Sequence, residues 1–357
     1  MNLKHKVRLA IILTGVLVLL FAITTAGAQP KAEAVVTIAA DQSLYAAQQD
    51  VIIHVTFSNP TGHSIRVLKW YTPVDGVEGP LFKVSLDGAP VAYTGPIYKR
   101  PAATGQDYIT LKSGESITSD VSLGAYYDLA ASGAYTVIYD VASWNLTDEK
   151  GGGPDQSVET LTSNPLLLGV EGRQAPIPFD FAAPEAVTGS TSFVKCSTTQ
   201  QSTLINARNQ ASTYSTDAKN YFEASKQGSR YTTWFGVYNS SRYNTTTSHF
   251  NAITNAMDTA AVTFDCGCKK PYYAYVYANR PYKIYLCKVF WTAPMTGTDS
   301  KAGTLIHEMS HFYVVASTLD YVYGQTGAKS LAVTDPDKAV NNADNHEYFA
   351  ENTPALP

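Results

Sequence analysis

The sequence predicts a chain of two domains, in which an all-β immunoglobulin-like sandwich precedes an α+β domain that is mostly helical. The 357 residues exceed the roughly 100–150 residues of a typical domain. Apolar residues recur at every second position in the first half and at helical spacing in the second half. All four cysteines lie in the second half, so the two halves also differ chemically.

The composition is that of a folded protein without a nucleic-acid partner. Hydrophobic residues make up 45% of the chain and charged residues 16%, a balance that favours buried cores over disorder. The formal net charge of −4 gives no basic surface of the kind that nucleic-acid binding requires. We therefore expect a globular protein whose partners are not nucleic acids.

The N-terminus has the three parts of a secretory signal peptide. Several basic residues precede an apolar run over residues 9–22, and Ala26-Gly27-Ala28 forms a small-residue cleavage signal. The alternative is a single membrane anchor, but the run is shorter than the roughly 20 residues that a span needs. The sequence thus predicts a signal peptide over residues 1–28 and a secreted, extracellular protein with no membrane span in its mature form.

Residues 29–172 show the period of two that is typical of β-strands. Turns such as Asn59-Pro60-Thr61-Gly62 separate the strand-like segments. The segments lie at residues 34–38, 51–57, 64–68, 81–86, 108–111 and 134–139. Several short strands with this spacing predict the immunoglobulin-like sandwich, which would lack a disulfide between its sheets because it contains no cysteine.

A segment rich in glycine and proline separates the two halves. Gly151-Gly152-Gly153-Pro154 is followed by further prolines up to Pro184, with no regular apolar period. The sequence therefore predicts a linker at 173–191 that contains a processing site, and a second domain at 192–357.

The second domain is predicted to contain several helices and a hairpin. Its first helix carries an apolar stripe formed by Leu204, Ala207, Ala211, Tyr214, Ala218 and Phe222. A second helix is predicted around residues 250–257, two short strands at 273–277 and 284–287, and a further helix from about Ala302. This order of elements predicts an α+β domain.

The string His307-Glu308-Met309-Ser310-His311 carries a strong chemical signal. On a helix, HExxH presents two imidazoles on one face, where they can share a Zn²⁺ ion. The alternative is a surface helix with two unrelated histidines, but the apolar neighbours Leu305 and Phe312 indicate a buried helix. The metzincin spacing for a third ligand is absent, and Asp320 follows nine residues after His311.

This arrangement resembles the aspzincin metalloproteases, the group of deuterolysin and peptidyl-Lys metalloendopeptidase. The segment Ser317-Thr318-Leu319-Asp320-Tyr321-Val322-Tyr323-Gly324 is similar to the family's GTxDxxYG pattern, with Ser317 where the family usually has Gly. Similarity to the peptidyl-Lys branch includes residues 230–236, 297–300 and 335–340. The resemblance covers the chain roughly from Cys196 to the C-terminus.

The resemblance implies a zincin-type metalloprotease domain with one Zn²⁺ per chain. It implies His307, His311 and Asp320 as zinc ligands, Glu308 as the catalytic base and Tyr323 as the catalytic residue that stabilises the oxyanion. Elementary chemistry agrees, because bound zinc lowers the pKa of water to about 7 and a nearby carboxylate can move the proton. For Tyr323, packing in a tyrosine-rich core is the alternative.

Two acids near the C-terminus are candidates for substrate recognition. On a helix Asp344 and Glu347 share a face, and two neighbouring carboxylates need a cation to offset their repulsion. The resemblance implies that they bind the lysine on the carboxyl side of the cleaved bond, the P1′ residue. The alternatives are a solvated acidic face, or Glu347 as a third zinc ligand. We expect Glu351 to be a surface charge and His346 to be structural.

The four cysteines of an exported chain favour two disulfides over a metal site. Cys266-Gly267-Cys268 lacks the second close pair that zinc sites use, and the residues alone leave three connectivities open. The family's pattern implies the pairs Cys196–Cys266 and Cys268–Cys287.

The expected function is that of a secreted, monomeric zinc metalloendopeptidase that cuts lysine-containing proteins or peptides on the amino side of lysine. The β-sandwich would be the pro-domain of a zymogen. It has no cysteine, so the blocking element is left open among shape, His54, His63, a carboxylate or a lysine of this domain. The alternatives are a deuterolysin-like protease of broader specificity that keeps the sandwich as a binding module, or a non-catalytic zinc-containing binding protein.

Overall fold

The computed structural model describes residues 33–143, 146–147, 159–172 and 189–357. The predicted signal peptide at 1–28 and residues 173–188 of the predicted linker lie outside these described residues. Within the described ranges, no helix is both long and apolar enough to cross a membrane.

The first half of the chain is built from β-strands. They are β1 (Val35–Ala39), β2 (Leu44–Tyr45), β3 (Ile52–Ser58), β4 (Ile65–Leu68), β5 (Phe82–Leu86), β6 (Ala89–Val91), β7 (Pro96–Lys99), β8 (Tyr108–Leu111), β9 (Ser116–Ser122), β10 (Gly133–Ser143), β11 (Glu159–Thr162) and β12 (Leu166–Val170). In β3, Ile53, Val55 and Phe57 are buried and the residues between them are half-buried. This alternation places every second side chain on the core face.

The strands of the first half form sheets around a shared apolar core. β3 lies between β1 and β9 and is antiparallel to both, with Val55 opposite Ile38 and Ser119. A second sheet has the order β2-β12-β10-β5-β6, with β11 also paired to β10, and β4 pairs with β8. The rings of Phe57 and Tyr139 meet edge to face in this core. The predicted β-rich first half is confirmed, whereas its immunoglobulin-like topology stays a prediction.

The second half is α+β and mostly helical, which confirms the prediction for its fold class. Its elements are β13 (Thr191–Val194), α1 (Thr198–Glu223), α2 (Ser229–Phe235), α3 (Ser240–Thr259), β14 (Val262–Asp265), β15 (Ala274–Tyr277), β16 (Lys283–Leu286), α4 (Lys288–Thr292), α5 (Lys301–His311), α6 (Gly324–Thr334), α7 (Pro336–Ala339) and α8 (Ala343–Glu351). The predicted stripe of α1 faces the core from Leu204 to Phe222. Ser197 and Gln200 form a capping box at its start.

β7 belongs to the first half in sequence but to the second half in pairing. The sheet of the second half has the order β13-β14-β16-β15-β7. β7 runs antiparallel to β15, with Tyr98 opposite Tyr275 and Lys99 opposite Ala274. This strand, which pairs a segment of the first half with the sheet of the second half, was not predicted from the sequence.

Two disulfides hold the sheet of the second half. Cys196–Cys266 joins the segments that follow β13 and β14, and Cys268–Cys287 joins the loop before β15 to the end of β16. Both pairs are the ones that the family pattern implies.

Helices α5 and α8 pack closely against each other at Gly303. All residues of α5 are buried, and Ser300 caps the helix by accepting a 2.9 Å hydrogen bond from the amide of Gly303. A Cβ atom at position 303 would collide with the carboxylate of Glu351 and lie 3.0 Å from Cγ of Glu347. Glycine therefore allows the acidic side chains of α8 to lie directly against α5.

Replacing Gly303 with alanine should destabilise the protein. Overpacking a buried contact costs about 1–3 kcal/mol, and the gain in helix propensity from glycine to alanine is about 1 kcal/mol. We expect a lower thermal unfolding midpoint in calorimetry. Gly62→Ala is the matched control, because a methyl group there meets nothing within 4 Å. Equal midpoints for Gly303→Ala and the wild type would contradict the close approach of α5 and α8.

Candidate active site

α5 presents His307 and His311 on one face. The centres of their rings are 4.8 Å apart and the ring planes are nearly perpendicular. Both side chains are buried. Nδ1 of His311 lies 2.8 Å from the carbonyl oxygen of Thr318. Because a carbonyl can only accept, Nδ1 carries the proton and Nε2 presents its lone pair.

The chain after α5 turns back and sets Asp320 against both imidazoles. Oδ1 of Asp320 is 3.2 Å from Nε2 of His307, and Oδ2 is 3.5 Å from Nε2 of His311. Ser317, in the turn before Asp320, has a φ of +54°. This is the left-handed region in which glycine has the lowest cost, which explains why glycine suits this position in the family.

The three side chains fit a zinc ion. Ligand bonds of about 2.0–2.2 Å in a tetrahedron separate the ligand atoms by roughly 3.3 Å, close to the separations found around Asp320. Nε2 of His307, Nε2 of His311 and Oδ1 of Asp320 are buried and have no hydrogen-bond partner among the described residues. Such atoms are costly to leave unpaired, and one metal ion would satisfy all three.

Glu308 lies beside this group with its carboxylate enclosed. Both of its oxygens are buried and lack a hydrogen-bond partner in the described part of the chain. Burial raises the pKa of Glu308 to about 8, although the charge of His307 acts in the opposite direction. For Asp320 burial would also raise the pKa, but the charges of His311 and His307 hold it well below its usual range. A cation bound here would favour the ionised form of Glu308.

The phenol of Tyr323 reaches the same site. Its hydroxyl lies 3.2 Å from Oδ2 of Asp320 and donates a 2.8 Å hydrogen bond to the carbonyl oxygen of Tyr98. It also accepts a 2.8 Å hydrogen bond from Nη1 of Arg100. The ring packs edge to face on Trp70, so Tyr323 combines core packing with a position beside Asp320.

Two acids of α8 contact the other side of His307. Nδ1 of His307 is 2.8 Å from Oδ1 of Asp344 and 3.3 Å from Oε2 of Glu347. Both acids are buried, so the predicted pair shares a face but is not a solvated acidic surface. His307, Asp344 and Glu347 are also close enough to hold a metal, but this group does not include His311, so it differs from a site in which Glu347 would be the third zinc ligand beside both histidines.

The ammonium group of Lys99 lies between these carboxylates. Nζ is 2.5 Å from Oε2 of Glu347, 3.3 Å from Oδ1 of Asp344 and 3.7 Å from Oδ1 of Asp299, and the side chain is 1% exposed. Burial alone would lower the pKa of Lys99, but the charges of Asp344, Glu347 and Asp299 raise it well above its usual range. Because the ammonium fills this space, the three side chains around Asp320 are the better metal candidate.

The pKa values of Asp344 and Glu347 are shifted in opposite directions from their usual values. Burial would raise the pKa of Asp344, but Lys99 and His307 lower it. For Glu347 burial raises the pKa and outweighs the attraction of Lys99. Neighbouring buried acids behave in this way because both cannot easily carry full charge.

One expectation for α8 was wrong. Glu351 is buried, and its Oε1 accepts hydrogen bonds from the amide and hydroxyl of Ser300 at 2.8 and 2.7 Å. Burial raises the pKa of Glu351 to about 9. The error has a tertiary cause, since only the missing side chain at Gly303 allows this acid to reach the start of α5.

Several residues of the site were not predicted. Asp299 belongs to a segment that was noted for its family resemblance, and its proximity to Lys99 could have been suspected from that segment. Arg100 has no comparable sequence signal. Among the open candidates for a blocking group, His54 contacts Asp120 within the first half, whereas a lysine does reach the site.

The first half also covers the surroundings of the site. The hydroxyl of Tyr71 donates to the carbonyl oxygen of Asp320 at 3.4 Å, and that of Ser143 donates to the carbonyl oxygen of Tyr321 at 3.0 Å. A cavity of about 670 Å³ beside Asp320 is lined largely by residues of the first half, Trp70 among them.

The chain is similar to known proteases over most of its length. An extracellular protease from Aeromonas hydrophila is 44% identical over 311 residues, which cover 86% of this chain and 89% of that protein. The model of the aspzincin family, described as lysine-specific metallo-endopeptidase, matches residues 220–351. The peptidyl-Lys metalloendopeptidase of Grifola frondosa is 40% identical over 257 residues, 71% of this chain and 72% of that protein.

The chain belongs to the aspzincin family. A solved structure of a zinc peptidase from Grifola frondosa is 51% identical, covers 45% of this chain and 100% of that chain, and has a TM-score of 0.44. Family membership makes this aspzincin a zinc metalloendopeptidase.

His346, a residue of α8, is hydrogen-bonded to a second histidine, His249. Its Nδ1 lies 3.0 Å from the carbonyl oxygen of Asn342 and must donate, so Nε2 accepts from Nδ1 of His249 at 3.0 Å. Burial lowers the pKa of His346 to about 3 and that of His249 to about 4. Both imidazoles are therefore neutral in the folded protein, and His346 is structural as expected.

This pair should make the protein less stable in acid. Unfolded histidines bind protons below a pH of about 6.5, whereas the folded pair does not, so stability is complete above that pH and falls as the pH drops towards 4. In His249→Gln we expect the pH slope of the unfolding free energy to be shallower by up to about 1.4 kcal/mol per pH unit. Urea unfolding between pH 7.5 and 5 measures it. Parallel profiles for the variant and the wild type would rule out this contribution.

Proposed function

We propose that this aspzincin is secreted as an inactive precursor and, once processed, hydrolyses peptide bonds on the amino side of lysine. The observation that carries the proposal is the ammonium of Lys99, held by Glu347 and Asp344 on one side of His307. A buried ammonium requires charged partners. A pocket that meets this requirement for Lys99 would also meet it for the lysine of a substrate.

The proposed roles follow from the contacts of each side chain. His307, His311 and Asp320 hold one zinc ion, which when bound supplies a Lewis acid and lowers the pKa of water. Glu308 takes the proton of the attacking water and delivers it to the leaving amine. The hydroxyl of Tyr323 donates to the carbonyl oxygen of the cleaved bond as negative charge develops there.

Asp344 and Glu347, which both contact Nδ1 of His307, have different proposed roles. Asp344 contacts Nδ1 of His307 and also accepts a 2.6 Å hydrogen bond from the amide of Gly324. Carboxylates in this position orient a metal-binding imidazole. Asp344 therefore positions His307 as well as binding lysine, whereas Glu347 serves mainly to recognise lysine.

The organisation of the precursor is part of the proposal. We assign a signal peptide to residues 1–28, an immunoglobulin-like pro-domain to 29–172, a processed linker to 173–191 and the catalytic domain of a monomer to 192–357. The contacts of Tyr71, Ser143 and Lys99 with the second half support a covering role for the first half. An extracellular relative from Aeromonas hydrophila supports secretion. Mass spectrometry of the active secreted species tests this, because an active full-length chain would favour a retained binding module.

Glu308→Gln should abolish most proteolysis while zinc remains bound. The amide keeps the shape of the side chain but cannot accept the proton of water, so we expect kcat to fall by about 10²–10⁴-fold. The assay is cleavage of a lysine-containing protein, with zinc content measured in parallel. Asp337→Asn, an exposed acid paired with Arg242, is the control that should keep full activity. Undiminished cleavage by Glu308→Gln would refute the assigned base.

Glu347→Gln should weaken the preference for lysine. Removing one partner of a buried charge pair costs 2–5 kcal/mol, so we expect kcat/KM for lysine peptides to fall by about 30-fold or more. Cleavage sites mapped on a mixed protein substrate show whether the remaining cuts still precede lysine. If the processed wild-type enzyme cuts without regard to lysine, the assigned specificity is wrong.

A further inference from the structure

β7 adds an edge strand to the sheet of the catalytic half. Without β7, β15 would be the outermost strand of this sheet among the described residues. β7 pairs with it in antiparallel register, and the amide of Tyr273 donates a 3.0 Å hydrogen bond to the carbonyl oxygen of Lys99. Extended peptides bind to proteins in this manner, because backbone hydrogen bonds at a sheet edge accept any sequence.

The side chain of Lys99 is enclosed as a bound ligand would be. Besides its carboxylate partners, its ammonium group lies 5.0 Å from the centre of the Tyr273 ring and 5.8 Å from that of Tyr348. The hydroxyl of Tyr348 donates a 2.6 Å hydrogen bond to Asp299, which holds that acid at the mouth of the pocket. The pocket thus combines negative charge with aromatic walls, both of which favour a cation.

The peptide bond before Lys99 lies beside the candidate metal ligands. The carbonyl oxygen of Tyr98 accepts the hydrogen bond of Tyr323, whose hydroxyl is within 3.2 Å of Asp320. An enzyme that cuts on the amino side of lysine needs the carbonyl of the preceding residue at this place. Tyr98 and Lys99 therefore stand where the two residues of a cleaved bond would stand.

The next residue anchors β7 from the opposite face. Arg100 directly follows β7, and its side chain contacts Tyr323 and Glu78 instead of the acids around Lys99. Its Nη1 donates to the hydroxyl of Tyr323, and its Nη2 donates to Glu78 at 3.1 Å. Glu78 in turn contacts Lys270 and Tyr272 of the catalytic half. This network holds the backbone of β7 on β15.

We propose that β7 is a built-in substrate mimic, in which Lys99 fills the pocket for the substrate lysine and keeps the precursor inactive until it leaves. The inference rests on the proposed lysine specificity and adds the means of its control. Because Lys99 is part of the same chain, it competes with free substrates at high effective concentration. If the first half blocked the site by its shape alone, no lysine would be required at position 99.

Peptide binding to an inactive full-length precursor tests the proposal without catalysis. In the zinc-loaded Glu308→Gln chain, a fluorescent lysine peptide is titrated and its Kd measured by anisotropy. With an effective concentration of Lys99 in the millimolar range, we expect a further Lys99→Ala change to lower the Kd by about tenfold or more. Lys112→Ala, which removes an exposed lysine of the first half, is the matched control and should leave the Kd unchanged. An equal Kd with and without Lys99 would overturn the proposal.

Three further measurements protect the test against misfolding and against failure of the proposed specificity. Lys99→Met keeps most of the apolar stem but removes the ammonium group, so it should preserve the fold and also lower the Kd of the lysine peptide. In the Glu308→Gln chain with Lys99 intact, acetylation mapped by mass spectrometry should modify Lys112 while Lys99 stays protected, and equal modification would contradict occupancy. If a peptide with norleucine in place of lysine binds as well as the lysine peptide, the lysine specificity itself fails, whatever the effect of Lys99.

Discussion

The burial of acidic side chains between α5 and α8 is the constraint on which the site depends. Asp344, Glu347 and Glu351 all lie on the short helix α8, and all three are buried. A buried carboxylate is stable only with partners that replace water. Ser300 supplies hydrogen bonds to Glu351, His307 contacts Asp344, and Lys99 pairs with Glu347. The position of α8 is thus determined by electrostatic requirements as much as by apolar packing, and Gly303 provides the space for it.

The same constraint explains why a pocket of this kind selects a cation. If Lys99 leaves, Asp344 keeps its contact with His307, whereas Glu347 loses its ammonium partner. Glu347 must then bind a proton or pair with another cation, because two close carboxylates repel each other. A lysine side chain matches this need with a compact ammonium on a flexible stem, whereas arginine presents a wider planar group. In the function proposed here, selectivity for lysine would therefore arise from the unfavourable state of the empty pocket.

The sequence predicted the parts of the site that lie within single elements. HExxH specified the face of α5, and the spacing of Asp344 and Glu347 specified a shared face of α8. It did not predict contacts set by tertiary packing. Lys99 ends a four-residue strand without apolar alternation and meets Asp344 across 245 positions of the chain. The burial of Glu351 depends on a glycine in another helix, and three acids in α8 are typical of an exposed surface. The β-rich first half was predictable from the alternation of apolar residues, but β7, which pairs with the sheet of the second half, was not.

In the proposed function, an edge strand and a single charged pocket would together determine how much of a substrate sequence the enzyme recognises. Hydrogen bonds to β15 hold a peptide backbone without regard to its side chains, so the lysine pocket must supply most of the discrimination. An exposed sheet edge is also prone to pairing with other chains, and in the full-length chain β7 covers this edge. The residue after lysine points away from the pocket, as Arg100 does, and there it meets Glu78 of the first half. If the pro-domain is removed, Glu78 is removed with it. The cleft of the mature enzyme would then keep charged partners for the substrate lysine but lose the charged partner of the residue that follows it.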